Sequence, residues 1–136
     1  MGFVLGSRSK AALQGVHSDL VAVVNLAIQL TKQDFTVVQG LRTKQQQASA
    51  VKSGNSWTMR SRHLSGHAVD VVPHPVDWTD LNKFKLIRDA FFQAAQQLDI
   101  PIRWGGDWNE DGSFHDEIKR GSYDGGHFEL HRKAYP

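Results

Sequence analysis

Cysteine is absent from this 136-residue chain. That excludes disulfides and thiolate metal sites, so any metal must be held by imidazole nitrogen and carboxylate oxygen. Long hydrophobic runs are absent too. The longest apolar segment, LVAVVNLAIQL, is about half of what spans a bilayer and is interrupted by Asn25. No stable membrane insertion is expected. Charge of one sign is scarce: the net charge is +2, too small to argue for a nucleic-acid partner. Basic residues gather only locally, at Arg60 and Arg62 and in the tail His131-Arg132-Lys133, and such clusters read as solvated surface. The N-terminal MGFVLGSRSK has no basic stretch followed by a sustained apolar one, so it does not read as a secretory signal and predicts synthesis in the cytoplasm. Without repeats or low-complexity tracts, the length predicts one domain over residues 1–136.

The remaining pattern is that of short elements. Ser18 or Asp19 is expected to cap a helix whose apolar positions Leu20, Val23, Val24, Ala27 and Ile28 share one face. A shorter helix is expected before it, around Lys10 to Val16. FTVVQ, Phe35 to Gln39, is rich in β-branched residues and reads as a strand that ends at Gly40. Thr43 is expected to cap the helix KQQQASAVKS, stopped by Gly54. Residues 55–62 read as loop, and HAVDVV as a strand closed by Pro73. Thr79 or Asp80 opens the longest helix, with Leu81, Phe84, Ile87, Phe91, Ala94, Ala95 and Leu98 as its apolar stripe. IRW is a short strand, a polar loop runs from Gly105 to about Gly126, and HFELH is the last strand. Helices followed by short strands predict an α+β domain, with N-terminal helices packed on a small antiparallel sheet.

Chemistry concentrates in SRHLSGHAVD, Ser61 to Asp70. Asp70 stands in a strand otherwise made of Ala and Val, where an isolated buried charge is costly, so its carboxylate should be paired or coordinated. A strand-end salt bridge or an exposed alternation is the plainer alternative. His63 precedes Gly66, and a turn between them could bring His63 to the same point as Asp70. His67 points to the other face of a regular strand and is excluded as a ligand. A third ligand should come from a neighbouring strand. His127 fits best, because Gly125-Gly126 allows a tight turn before it and Glu129, two residues on, faces the same way. Spacing alone leaves a purely structural His127 open.

Ser61-x-His63-x-x-Gly66-x-Ala68-x-Asp70 followed by Asp124-x-x-His127-x-Glu129 resembles the zinc peptidases of the D-Ala-D-Ala carboxypeptidase and dipeptidase superfamily. Within it the chain is similar to the small phage endolysins that cleave the L-alanyl-D-glutamate bond of peptidoglycan. The segments DFTVVQGLRT, WGGDWN and HDEIKRGSYDGGHFEL extend the likeness nearly end to end. The resemblance implies zinc ligands at His63, Asp70 and His127, the same three that spacing selected. It also implies a catalytic acid/base at Asp124, three residues before the last histidine, where many superfamily members carry Glu. Arg42, in QGLRT, matches the arginine that stabilises the developing oxyanion. Glu129 then suits a hydrogen bond to a ligand imidazole, with an exposed strand carboxylate as the alternative. Ser61 falls at the pocket edge as a hydrogen-bond partner. Trp104, Trp108 and Tyr123 are divided between groove lining and core.

The function implied is a zinc-dependent peptidoglycan endopeptidase, monomeric, with the cell wall as partner and no nucleic acid, reaching the wall after release through a holin. The rivals are a D-Ala-D-Ala carboxypeptidase or dipeptidase and a non-catalytic zinc-stabilised binding module. The presence of Asp124 and Arg42 beside all three ligands speaks against the second. Asp107-x-Asn109-x-Asp111-Gly112 matches the first half of an EF-hand-type calcium loop, which predicts a weak regulatory calcium site. Its second half departs from that pattern, with Ile118 at the twelfth position. A polar loop closed by turn hydrogen bonds is the plainer alternative.

Overall fold

A computed structural model describes residues 3–54, 61–107, 110 and 125–136. Its helices are α1 (Ser7–Ala12), α2 (Ser18–Leu30), α3 (Lys44–Lys52) and α4 (Leu81–Leu98). Its strands are β1 (Phe35–Gln39), β2 (Ala68–Pro73), β3 (Ile102–Trp104) and β4 (His127–Leu130). A 3₁₀ turn at Arg62–Ser65 leads into β2.

The caps follow side-chain chemistry, with one correction. Thr43 caps α3 through a reciprocal box: its hydroxyl accepts from the Gln46 N–H at 3.1 Å, and Gln46 Oε1 accepts from the Thr43 N–H at 2.9 Å. Asp80 caps α4 by accepting from the Asn82 N–H. The cap of α2, by contrast, is neither Ser18 nor Asp19 but His17, whose Nδ1 accepts from the Asp19 N–H at 3.1 Å. The Asp19 carboxylate is engaged elsewhere, accepting from the Tyr135 hydroxyl at 2.6 Å. The first helix also begins earlier than the expected Lys10 to Val16. Ser9 decides this: it is buried, and its Oγ accepts from the Val37 N–H at 2.9 Å, docking α1 on β1.

All strand pairings are antiparallel, in the order β1-β2-β4-β3. β2 starts at Ala68, one residue later than expected, and includes Pro73. The β2–β4 register sets Asp70 opposite His127 and Ala68 opposite Glu129. Because side chains alternate along a strand, this register puts all the polar residues of the two strands on one face. Val69, Val71, Phe128 and Leu130 point the other way, into one apolar cluster with Leu20, Val24, Ile87 and Phe91. The Phe91 and Phe128 rings stack there, centroids 3.9 Å apart. The predicted stripe of α4 is buried at Phe84, Ile87, Phe91, Ala94 and Ala95, joined by Ala90, while Leu81 and Leu98 at its two ends are exposed.

Two glycines bring the site elements together. Gly66 ends the 3₁₀ turn with φ of 72°, and a Cβ there would lie 2.6 Å from the Gly15 carbonyl oxygen. At Gly126 a Cβ would lie 2.2 Å from the Val71 carbonyl oxygen, so only glycine lets the chain enter β4 so close to β2. A register shift between Val37 and Gln39 bends the end of β1 and sets Gln39 opposite Asp70.

Candidate metal centre

Three side chains converge on the polar face of the sheet. His63 comes from the 3₁₀ turn, Asp70 from the middle of β2 and His127 from the first position of β4. One donor atom of each lies within 4.8 Å of the other two, and among the described residues this is the one group of three or more side chains so arranged. His63 Nε2 is 3.1 Å from Asp70 Oδ2, and His127 Nδ1 is 3.0 Å from Asp70 Oδ1. Both imidazoles are buried, whereas the Asp70 side chain is 25% exposed. The site therefore opens to solvent past the carboxylate.

Each imidazole is held from behind by a group that can only accept. The Gly40 carbonyl lies 2.8 Å from His63 Nδ1, and Glu129 Oε1 lies 2.9 Å from His127 Nε2. With an ion bound, the nitrogens facing those acceptors would carry the hydrogens; without one, the nitrogens toward Asp70 can donate to its carboxylate. The opposite nitrogens, His63 Nε2 and His127 Nδ1, are aimed at Asp70. Two imidazoles and one carboxylate, with no sulfur, form a donor set that suits zinc, and three protein donors leave a coordination position for chemistry. The residues present fit such an ion. Burial pushes the Asp70 carboxyl up, but hydrogen bonds from His127 and His63 outweigh it and hold Asp70 well below the usual carboxylate range. Glu129 is likewise lowered, with burial overcome by the His127 hydrogen bond and charge. It is 4% exposed, which removes the exposed-strand alternative.

Arg42 reaches the rim of the same site, its Nη2 3.7 Å from Asp70 Oδ2. Nη1 donates to Gln47 Oε1 at 2.6 Å, and the Arg42 backbone N–H donates to the His63 carbonyl at 2.9 Å. Gln47 is fully buried on α3. A glutamine in the run KQQQ gives no sign in sequence of aiming an arginine; only its position, one helical turn beyond the Thr43 cap, could have suggested it. Ser61 sits one step back from the centre. Its Oγ caps the 3₁₀ turn by accepting from the His63 N–H at 3.2 Å, so it shapes the turn that carries His63.

His67, one residue ahead of β2, points away from the site: its Nδ1 meets Ser65 Oγ at 2.6 Å and its ring lies against His17. Burial, and then the Arg62 charge, lower its pKa. One surface expectation needs correction, and one open choice is decided. Arg62 is buried, because its guanidinium turns inward beneath the tail and donates to the Leu130 carbonyl. Trp104 belongs to the core, where its indole N–H donates to the Gly125 carbonyl at 2.8 Å and steadies the turn before His127. Asp124, Trp108, Tyr123 and Arg60 lie outside the described residues, as do Asn109 and Asp111 of the calcium-loop motif. Asp107 is described, with its backbone N–H bonded to the Trp104 carbonyl. No helix among the described residues is long and apolar enough to cross a membrane.

With this geometry in place, known proteins can be set beside the chain. The family model for phage L-alanyl-D-glutamate peptidase matches residues 1–131. The L-alanyl-D-glutamate peptidase of Escherichia phage T5 is 43% identical over 136 residues, spanning 96% of this chain and 99% of the phage protein. That of Listeria phage A118 is 33% identical over 102 residues, which is 75% of this chain and 32% of that longer protein. Among solved structures, the L-Ala D-Glu endopeptidase ChiX of Serratia marcescens aligns with a TM-score of 0.81 at 40% identity, covering 96% of this chain and 91% of ChiX. The vancomycin-resistance D,D-dipeptidase VanXYg shares the fold, with a TM-score of 0.50 at 20% identity over 85% of this chain and 50% of that one.

Proposed function

The chain belongs to the phage L-alanyl-D-glutamate peptidase family, and from that premise we propose that it is a zinc-dependent endopeptidase cutting the L-alanyl-D-glutamate bond of peptidoglycan stems. One observation carries the reading: the donor atoms of His63, Asp70 and His127 stand within 4.8 Å of one another, open on one side, with Arg42 beside them. A zinc ion held by these three would supply a Lewis acid and bring the pKa of water toward neutrality.

The chain's own groups account for the rest of the reaction. Around a bound ion, Gly40 and Glu129 would take the hydrogens on the far side of each ring, leaving His63 Nε2 and His127 Nδ1 free to donate their lone pairs. Arg42, held by Gln47, presents a fixed positive fork at the rim, where it would stabilise negative charge growing on the scissile carbonyl oxygen. Asp124, three residues before His127 in sequence, would take the proton of the attacking water and hand it to the departing amine. The quarter-exposed Asp70 marks the side from which an extended peptide would enter. The whole of residues 1–136 would act as one monomeric domain, reaching the wall through a holin-type lesion.

The test is digestion of purified muropeptides, with and without a zinc chelator, followed by mass spectrometry. Products split between L-alanine and D-glutamate, lost on chelation and restored by zinc, are expected. Release of terminal D-alanine alone would instead establish a carboxypeptidase.

A further inference from the structure

Arg62 is 8% exposed. A guanidinium removed from water must have its charge and its N–H groups answered locally, or it destabilises the fold. Its Nη2 is answered by the tail, donating to the Leu130 carbonyl at 3.2 Å and the Tyr135 carbonyl at 2.5 Å. Its Nε faces Glu129 Oε2 at 3.9 Å, and both of these buried atoms lack a hydrogen-bond partner. They are therefore joined by charge rather than by a hydrogen bond. The other oxygen of the same carboxylate, Oε1, is the one that holds His127 Nε2.

We propose that Arg62 is a positioning residue of the metal centre: anchored on the C-terminal segment, its guanidinium fixes the Glu129 carboxylate that sets His127, so that the tail governs metal affinity. The inference rests on the zinc centre read above. A cation on the Oε2 side keeps the carboxylate from rotating and presents Oε1 squarely to the imidazole. Arg132 Nε is also 3.9 Å from Oε2, but its side chain is 58% exposed and solvent screens it. Arg103, opposite Glu129 on β3, also acts on this carboxylate but is only half-buried, so of the three cations Arg62 is the buried one. It is also continuous with the first ligand: it precedes His63 in the 3₁₀ turn, and its carbonyl accepts from the Ser65 hydroxyl and the His67 N–H. The anchor has its own fixings, since the Tyr135 hydroxyl donates to Asp19 and its ring stands edge-on to His17. Residues 132–136, Tyr135 among them, lie beyond the family match.

The experiment is calorimetric titration of the metal-free protein with zinc, for the parent, Arg62→Lys, Glu129→Gln, the double variant and Arg132→Gln. NMR in the metal-free proteins follows exchange of the His127 Nε2 proton with water. Arg62→Lys keeps the charge and loses the planar fork, and it should weaken zinc binding about tenfold, within the usual range for groups that support a ligand. The double variant should bind no worse than Glu129→Gln alone, because Arg62 acts through that carboxylate. The His127 proton should exchange faster in Arg62→Lys and unchanged in Arg132→Gln. A merely structural Arg62 would lower the melting temperature but leave both zinc affinity and proton exchange at parental values. That result, or additive losses in the double variant, overturns the proposal. If the parent binds no zinc at all, the zinc reading fails, and proton exchange in the metal-free proteins still decides the role of Arg62.

Discussion

The two faces of the β2–β4 pair are made from alternate residues of the same strands, yet they are stabilised in different ways. On one face Val69, Val71, Phe128 and Leu130 are buried among helices by a non-directional force roughly proportional to area. On the other, His127 and Glu129 are nearly as enclosed and Asp70 is a quarter exposed, but the contacts are polar: Asp70 to both imidazoles, His127 to Glu129, and the Glu129 carboxylate to the Arg62 charge. The apolar face tolerates a change of shape at a graded loss of stability. The polar face tolerates almost none, because removing one member leaves its partners buried and unanswered. Burial thus does not separate His127 and Glu129 from the core; the chemistry of the contact does.

The sharpest break between the faces is at the ligands. His63→Ala, Asp70→Ala or His127→Ala should each remove zinc and reduce cleavage by about a thousandfold or more, since the metal's contribution goes with the site. His67→Ala, one residue from Ala68 but facing away, should keep full zinc content by metal analysis; a zinc-free His67 variant would refute the ligand assignment. Asp124→Ala should separate chemistry from binding, lowering the rate by about 10²–10⁴-fold, the usual range for general acid–base catalysis, at parental zinc content. Survival of full activity would exclude it as the acid/base.

Phe128→Ala probes the opposite face from the position next to His127. The loss of a ring stacked on Phe91 should cost about 3–5 kcal/mol in denaturant unfolding, with one zinc still bound in the folded fraction. Loss of zinc without loss of stability would show that the faces are not separable.

The smallest effect belongs to an exposed turn outside both faces. Asp77 accepts from the Thr79 N–H and hydroxyl, lies against Lys83, and accepts from the Asp80 N–H; together these hold its pKa at about 2, against an ordinary 3.8. A pKa lowered by folding gives stability that is present above about pH 4 and fades as the pH falls toward 2. The melting-temperature gap between the parent and Asp77→Asn should therefore shrink across that interval. A constant gap would place the effect in the hydrogen bonds alone.

Local elements were legible in the chain because they follow from local rules. FTVVQ became β1 with its predicted bounds, and Thr43 capped α3. The α4 stripe failed only at Leu81 and Leu98, its two ends. The bounds of α1 and the cap of α2 were not legible, since Ser9 answers to β1 and Asp19 to Tyr135, partners far away in sequence.

The candidate site divides in the same way. Its donors were set by sequence: no cysteine, an aspartate in an apolar strand, and histidines at the distances that a turn and a strand allow. What only the tertiary structure decided is which groups stand behind those donors. Gly40 behind His63, Gln47 behind Arg42, and Arg62 with the Tyr135 carbonyl behind Glu129 are brought together by strand register and the closing tail. A residue's type states what it can bond; its partner is chosen by the fold, because a buried polar group must be met by whatever the packing places within reach.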